Sequence, residues 1–168
     1  ILSLLSARLV SQPNEDSLRL AASAEILHNA TLMHDDVADE SKERRGAPTL
    51  SALLGPNAAV LVGDYWLARA VEMVLSTSCF EKVIPLFSRT LTDLAEGEML
   101  QLEKATSLDT CEEDYLRIIF CKTASLFVAS VKGAAISVSA SPAQLEAVEQ
   151  YAKALGVAFQ IKDDILDY

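Results

Sequence analysis

The chain has 168 residues, of which 51% are hydrophobic, and this length suits one domain with a hydrophobic core of its own. A formal net charge of −10 argues against nonspecific nucleic-acid binding, which depends on basic patches. No apolar run approaches the ~18–20 residues that span a bilayer, so no transmembrane segment is expected. The cysteines, Cys79, Cys111 and Cys121, lack metal-type spacing and are expected to be reduced thiols of a cytoplasmic protein.

The first half of the chain is predicted to be helical. After the apolar segment ILSLLSARLV, a long helix begins near Asn14 or Asp16, either of which can cap it. Turns are predicted at Pro48 and at Gly55-Pro56-Asn57. Two more apolar helical patterns follow, AAVLVGDYWLARAVEMVL and LFSRTLTDLAEGEMLQLEKA.

The second half contains two patterns of the kind that begins a helix with a capping box. Thr110 with Glu113 predicts a helix over 112–131. Ser141 with Gln144, and a proline between them, predicts the last helix.

Together these elements predict an all-α fold, an antiparallel helical bundle with a central cavity. The one strand-like stretch, AAISVSAS, is a weak candidate because of its alanine and serine content. A single domain is expected over 1–168. Because the chain opens on Ile1 and closes on Tyr168 within a helical pattern, it is expected to be truncated at both ends.

The stretch LMHDDVADESKERRG contains a first aspartate cluster, Asp35, Asp36 and Asp39. The spacings of three and four residues would present all three carboxylates toward one side of a helix. Unpaired carboxylates at this spacing repel one another, which indicates a cation in front of them. Such ligands favour Mg²⁺ or Ca²⁺, and Mg²⁺ usually takes only one or two protein carboxylates, with water and substrate phosphate as its other ligands.

A second aspartate cluster, Asp163, Asp164 and Asp167, has identical spacing in DDILD. A solvated acidic helix face is the alternative for either cluster. Here, however, apolar residues flank the acids and lie between them, which is not typical of a solvated face. Two clusters on helices that face each other across a bundle would form a metal site.

Two adjacent arginines, Arg44 and Arg45, lie about two helical turns beyond the first cluster, and Gly46 is predicted to end that helix in a left-handed turn. Arginine binds phosphate bidentately without a metal. The alternative is a helix C-terminus whose dipole is stabilised by cations. Beside the aspartates, the pair indicates a site for a substrate with two or more phosphate groups.

With DDVADESKERRG and FQIKDDILDY together, the chain strongly resembles the trans-isoprenyl diphosphate synthases, and most of all their long-chain, octaprenyl-type branch. GEMLQL, VGDYWLARA and Lys122-Thr123-Ala124 extend the resemblance over nearly the whole chain. The resemblance implies the isoprenoid synthase type of helical bundle and a Mg²⁺-dependent prenyltransferase. Such an enzyme condenses isopentenyl diphosphate head-to-tail onto an allylic diphosphate.

The resemblance also implies how the two substrates are held. Both aspartate clusters would bind Mg²⁺, with three ions expected: the ligands are Asp35, Asp36, Asp39, Asp163, Asp164 and Asp167. Arg44 and Lys122 would contact the allylic diphosphate that these ions bridge. Arg45 would contact the diphosphate of isopentenyl diphosphate.

The resemblance further implies that Gln160 and Thr123 contact the substrate near the reacting carbons, where an oxygen would stabilise positive charge. Glu98 and Gln101 would support them. The residues expected to act in catalysis are Asp35, Asp36, Lys122, Thr123, Gln160 and Asp163. The released diphosphate can accept the proton, so His28 is interpreted as a core-edge residue and His34 as a helix residue beside the acids.

Three alternative functions are weighed against this interpretation. A terpene cyclase would usually lack the second DDxxD, and a non-catalytic regulatory subunit would tend to lose motif aspartates. A calcium-binding structural bundle would not predict the arginine pair or the Lys-Thr pair. Both clusters are intact here, so the synthase is favoured.

Product length should depend on residues one to two turns upstream of Asp35, and on Ser23 deeper along the helix, since helical side chains lean toward the N-terminus. These chain-length candidates are Ala30, Thr31, Leu27 and Ser23. The small size of Ala30, Thr31 and Ser23 predicts an open tunnel. A product of about eight isoprene units (C40) is expected, because each buried CH₂ contributes ~0.8 kcal/mol. The alternatives are small residues that serve close helix packing, and a short-chain (C15–C20) synthase. A homodimer that delivers its product to the membrane periphery is also expected from the resemblance.

Overall fold

The computed structural model describes residues 1–166, so Asp167, a predicted metal ligand, lies outside the described residues. The helices are α1 (Leu2–Val10), α2 (Glu15–Ala38), α3 (Leu50–Leu54), α4 (Pro56–Leu75), α5 (Phe80–Ser107), α6 (Glu112–Ile119), α7 (Ser125–Ser137) and α8 (Pro142–Leu166). A π-helical turn, Phe120–Ala124, joins α6 to α7 and is called the π-turn below. The prediction of an all-α helical fold is confirmed.

Helix α2 is the element around which the other helices pack. Its start is fixed by a capping box: Asn14 Oδ1 accepts from the Ser17 amide (2.9 Å), and Ser17 Oγ accepts from the Asn14 amide (3.1 Å). The same two side chains bond to Ser137 at the end of α7. The 24 residues of α2 span about 36 Å and contact α1, α4 and α7.

The main hydrophobic core lies where α2, α4, α5 and α7 meet. Its largest fully buried members are Leu20 and Leu27 of α2, Val74 of α4 and Val83 of α5. Alanines from α2, α4 and α7 complete it and allow close approach of the helices. One face of α2 is therefore committed to this core.

The predicted helix through the arginine pair is wrong, because α2 ends at Ala38. A two-stranded antiparallel hairpin follows, with β1 (Glu43–Arg44) paired to β2 (Ala47–Pro48). Arg45 (φ 53°) and Gly46 (φ 78°) form its two-residue connection. Positive φ at both positions is typical of the turn that matches strand twist, and glycine adopts it without strain.

The helix predicted over 112–131 begins at Glu112, but Cys111 rather than Thr110 precedes it and its amide donates to Asp114 (3.2 Å). The strand-like stretch AAISVSAS is not a strand, because α7 continues to Ser137. The last helix starts as predicted, with Ser141 as its capping residue.

One helical segment qualifies the expectation that no apolar stretch is long enough to span a membrane. By length and composition alone, Glu112–Ser137 could do so, and it is the one such segment in the part of the chain that the structure describes. Within the bundle, 61% of its most apolar window is buried. That burial is the environment of a core helix.

Buried Ser23 supplies a stability test. Its side chain is fully buried, and its hydroxyl has no hydrogen-bond partner among residues 1–166. Ser23→Ala should raise the free energy of unfolding by about 1 kcal/mol in urea denaturation, because an unpaired buried polar group is removed. Ser17→Ala is the control and should lower it by about 1 kcal/mol, since its hydroxyl is bonded. A comparable loss in Ser23→Ala would contradict the burial of an unpaired hydroxyl.

Candidate active site

A cavity of about 1170 Å³ lies between α1, α2, α5, α8 and the segment formed by α6, the π-turn and α7. Polar and charged groups from five elements line part of it: Asp35, Arg44, Arg45, Glu98, Gln101, Lys122, Thr123, Gln160, Asp163 and Asp164. Most of the predicted site residues are thus brought together. Asp35 and Asp164, which are 129 positions apart in sequence, share one cavity.

The first aspartate cluster does not present all three carboxylates to this cavity. Asp35 lines it, and burial raises the pKa of that carboxyl, against the opposing effect of the nearby Lys122 ammonium. Asp36 is turned into the protein, 6% exposed, where it accepts from Arg44 Nε at 2.8 Å. Asp39 is the exposed residue that ends α2.

The physical reason is rotation along the helix. Consecutive helical residues point about 100° apart, so Asp35 and Asp36 cannot both face one cavity. The hairpin then brings Arg44 back against α2, where it pairs with Asp36. The predicted placement of Asp36 on the cavity wall is therefore corrected, whereas Asp39, four residues after Asp35, is close enough to act on the Asp35 carboxyl.

The second aspartate cluster is joined to the π-turn by a chain of hydrogen bonds. Thr123 Oγ1 donates to Gln160 Oε1 at 2.6 Å, and Gln160 Nε2 donates to Asp164 Oδ1 at 2.8 Å. Tyr115 on α6 donates to Asp164 Oδ2 at 2.6 Å, which raises the pKa of Tyr115 to about 12. We call these four side chains the polar chain. Asp163 lies on the cavity wall and is not a member of the polar chain.

Lys122 projects from the π-turn toward α5. Its Nζ lies 2.5 Å from Glu98 Oε2 and donates to Gln101 Oε1 at 2.9 Å. These two partners hold the ammonium at the cavity wall and supply a negative charge beside it. An incoming anion could bind the same ammonium.

Both histidines line the cavity, so the interpretation of His28 as a core-edge residue is corrected. Burial lowers the pKa of His28; Glu25 opposes this effect, and Arg45 and Arg44 add to it. His28 precedes Asp35 by seven residues, or two turns, which was the sequence signal for a shared face. His34 Nε2 lies 3.2 Å from Asp64 on α4.

The apolar part of the cavity runs along one face of α2. Thr31, Ala24 and Ala21 line it, and Ala30 contributes although it is fully buried. From Asp35 to Ala21 this face is about 21 Å long at 1.5 Å per residue. The walls opposite are apolar, with residues of α4, α5 and α7.

Two chain-length candidates, Leu27 and Ser23, are not part of the cavity wall. Both are fully buried, and Leu27 belongs to the core between α2, α4, α5 and α7. The sequence prediction named the correct stretch of α2, but for these two residues it chose the wrong face of the helix. Ala24 and Ala21, which the prediction omitted, take their place.

The available donors suit Mg²⁺, which needs few protein ligands, better than they suit a metal enclosed entirely by protein ligands. In residues 1–166 no group of three His, Cys, Asp or Glu side chains converges as a metal-binding cluster. Single carboxylates from opposite helices, Asp35 of α2 and Asp163 of α8, line the cavity instead. Mg²⁺ usually binds one or two protein carboxylates and takes its remaining ligands from water and substrate phosphate.

Comparison with known proteins identifies the family to which the chain is similar. All of residues 1–168 match the polyprenyl synthetase family. The chain is 41% identical over 168 residues to octaprenyl diphosphate synthase of Escherichia coli K12, covering 100% of this chain and 52% of that protein. A decaprenyl diphosphate synthase structure from Rhodobacter capsulatus superposes with a TM-score of 0.96 at 45% identity, covering 99% of this chain and 51% of that one.

A second similar structure carries ligands. It is a polyprenyl synthase from Caulobacter crescentus CB15 complexed with calcium and isoprenyl diphosphate, with a TM-score of 0.93 and 40% identity. The alignment covers 99% of this chain and 51% of that one. The chain belongs to the polyprenyl synthetase family, and it spans about half the length of these relatives.

Tyr115→Phe tests whether the polar chain orients the second cluster for metal. Loss of the bond to Asp164 should weaken Mg²⁺ binding in the presence of inorganic pyrophosphate about tenfold, the range found for groups that orient metal ligands. Titration calorimetry measures it. Tyr151→Phe, on an exposed part of α8, is the control and should leave the affinity unchanged. Equal Mg²⁺ affinity in both variants would contradict the orienting role.

Proposed function

We propose that the full-length protein is a trans-polyprenyl diphosphate synthase. It condenses isopentenyl diphosphate head-to-tail onto an allylic diphosphate in a Mg²⁺-dependent reaction. The observation that supports this most is a single cavity whose polar part holds cations and carboxylates and whose remaining wall is apolar. Such a cavity suits a diphosphate with a long hydrocarbon tail.

Cations for two diphosphate groups are supplied by three side chains. Lys122 and Arg44 bind the allylic diphosphate, and Arg45 binds isopentenyl diphosphate; all three line the cavity. Arg45 lies near His28, whose neutral imidazole can donate a hydrogen bond to the same phosphate. Arg44 exchanges its contact with Asp36 for phosphate oxygens as the substrate binds.

Metal binding is assigned to Asp35 on one side of the cavity and to Asp163 and Asp164 on the other, with Asp36, Asp39 and Asp167 in support. The number of ions is proposed to be three. Bound Mg²⁺ would draw negative charge onto the departing diphosphate and so favour cleavage of the allylic C–O bond. The calcium and isoprenyl diphosphate of the Caulobacter crescentus structure support a cation and a diphosphate in this kind of cavity.

Thr123 and Gln160 stabilise the positive charge that develops on the allylic carbons. Their oxygens are fixed by mutual bonding: Gln160 Oε1 accepts from Thr123 and keeps a second lone pair for the cavity. Because these dipoles are already oriented, little reorganisation is needed when charge forms. Oriented carbonyl and hydroxyl oxygens thus act as electrostatic catalysts.

The growing tail occupies the apolar wall of α2 and its neighbours. Phe127 and Phe159, with ring centroids 5.9 Å apart, line the same cavity, so α7 and α8 also cover the tail. Between Thr31 and Ala21, the largest side chain that α2 contributes to the cavity wall is that of His28. A long-chain product of about eight isoprene units is therefore proposed rather than C15–C20, since each buried CH₂ favours elongation.

The setting is also a proposal. The cysteines of the described residues are free, which supports a reducing cytoplasm. Exposed apolar residues on α4, such as Leu61 and Tyr65, support a homodimer. An apolar product of this length would be delivered at the membrane surface.

The reaction itself is tested with farnesyl and isopentenyl diphosphates. Mass spectrometry should find polyprenyl diphosphates, and chelation of Mg²⁺ should abolish them. Asp35→Asn should lower kcat by at least about a hundredfold, the cost of losing one group that stabilises transition-state charge. Glu146→Gln, on the exposed side of α8, should not change it. A cyclised hydrocarbon, or no condensation, would contradict the proposed reaction.

Product length is tested by a series along the cavity wall. Thr31→Phe, Ala24→Phe and Ala21→Phe place the same ring at increasing distance from Asp35. Product length should rise in that order, because each ring stops the tail at its own depth. Ala143→Phe, exposed on α8, is the control and should leave the wild-type product. Products independent of depth would contradict the assigned wall.

A further inference from the structure

The π-turn interrupts an otherwise continuous helix at the two residues that face the cavity. Residues Phe120–Ala124 have one extra residue in the turn, with ordinary α-helix before and after. Lys122 and Thr123 are its central members. Since π-turns are rare and strained relative to α-helix, this one needs contacts that stabilise it.

Two glycines on neighbouring helices contact the π-turn where no side chain would fit. A Cβ at Gly156 of α8 would lie 2.6 Å from Ala124 Cα and 2.8 Å from Ala124 Cβ. A Cβ at Gly97 of α5 would lie 2.7 Å from Cys121 Cβ and 2.9 Å from Lys122 Cγ. The π-turn is thus in backbone-close contact on both sides.

Two further buried helical glycines differ from these: a Cβ at Gly63 of α4 would meet the ring of His34 at 2.4 Å, the end of a side chain rather than backbone, and Gly133 has no close contact. A Cβ at Gly133 of α7 would meet Phe87 at 3.4 Å and Val83 at 3.6 Å, which is ordinary contact. Glycine is a poor helix former, so its presence at positions 97 and 156 needs a packing reason. The two contacts with the π-turn supply that reason.

Each glycine lies on the helix that carries a hydrogen-bond partner of Lys122 or of Thr123. Gly97 directly precedes Glu98 and is one turn from Gln101, the two side chains that hold Lys122. Gly156 lies one turn before Gln160, which accepts from Thr123. The distance between α5 or α8 and the π-turn therefore decides whether these bonds can form.

We propose that Gly97 and Gly156 are positioning residues for Lys122 and Thr123 respectively. By allowing α5 and α8 to approach the π-turn, they set the direction in which the lysine and the threonine enter the cavity. This inference rests on the proposed synthase function for its kinetic consequences. Its structural part, the link from each glycine to one side chain, stands on the contacts alone.

The test uses Gly97→Ala and Gly156→Ala in the full-length protein, with Gly133→Ala as the matched control. Gly97→Ala should raise KM for the allylic diphosphate about tenfold, with a smaller change in kcat, because it displaces a binding group. Gly156→Ala should lower kcat about ten- to a hundredfold with a smaller change in KM, as small misplacements near the reacting atoms do. Gly133→Ala should match the wild type.

A second variant connects Gly97 to its target. In a Lys122→Ala background, Gly97→Ala should have no further effect on KM, since coupled residues are not additive. If Gly156→Ala fails to fold, the added change Ala124→Gly removes the 2.8 Å contact but not the 2.6 Å one. That double variant should regain part of its Tm while kcat stays low, because the 2.6 Å contact with Ala124 Cα still holds α8 away from the π-turn; full recovery of kcat would overturn the proposal.

Two readouts do not depend on turnover. Calorimetry with Mg²⁺ and inorganic pyrophosphate should show about tenfold weaker binding in Gly97→Ala, and a crystal structure of Gly156→Ala should lack the bond from Thr123 to Gln160. If these changes occur but the wild type makes no prenyl diphosphate, the proposed function fails and the positioning role remains. The positioning role is overturned if both variants behave like Gly133→Ala. It is also overturned if each variant shows a lower kcat, a higher KM and a lower Tm together.

Discussion

The polar chain from Tyr115 through Asp164 and Gln160 to Thr123 is the interaction on which the site depends. Its three bonds, 2.6, 2.8 and 2.6 Å long, join α6, α8 and the π-turn across the cavity. Each member is fixed by its neighbour, and both Asp164 oxygens accept, so its carboxylate has one orientation. The cavity can therefore present oriented oxygens without collapsing around them.

Charge balance explains why cations and carboxylates coexist in that cavity. Lys122 is held by Glu98, and Arg44 by Asp36, so two of its cations already have an anionic partner. Of these four groups Asp36 is the buried one, and without Arg44 its charge would cost several kcal/mol. Under the proposed function, a diphosphate with its metal ions would bring both signs of charge, so it could exchange partners with these pairs instead of adding an uncompensated charge. Paired charges thus keep the site folded while it is ready for a charged substrate.

Local rules predicted much of this structure. Asn14 and Ser141 begin α2 and α8 as expected, since capping depends on a few adjacent residues. The end of α2 was missed because nothing between Asp39 and Gly46 opposes helix strongly, while the hairpin depends on Arg44 meeting Asp36. The π-turn was also missed, because it depends on helices that approach from elsewhere in the sequence.

The rotation of α2 marks the limit of sequence reasoning about the cavity. Periodicity identifies which residues share a face, but not which face meets the core and which the cavity. Leu20 and Leu27 pack against α4, α5 and α7, so the face with His28 and Thr31 is left for the cavity, and Ala24 lies at the border of the two. Because one helix must fill a core on one side and leave space on the other, its small residues serve two purposes that sequence alone does not separate.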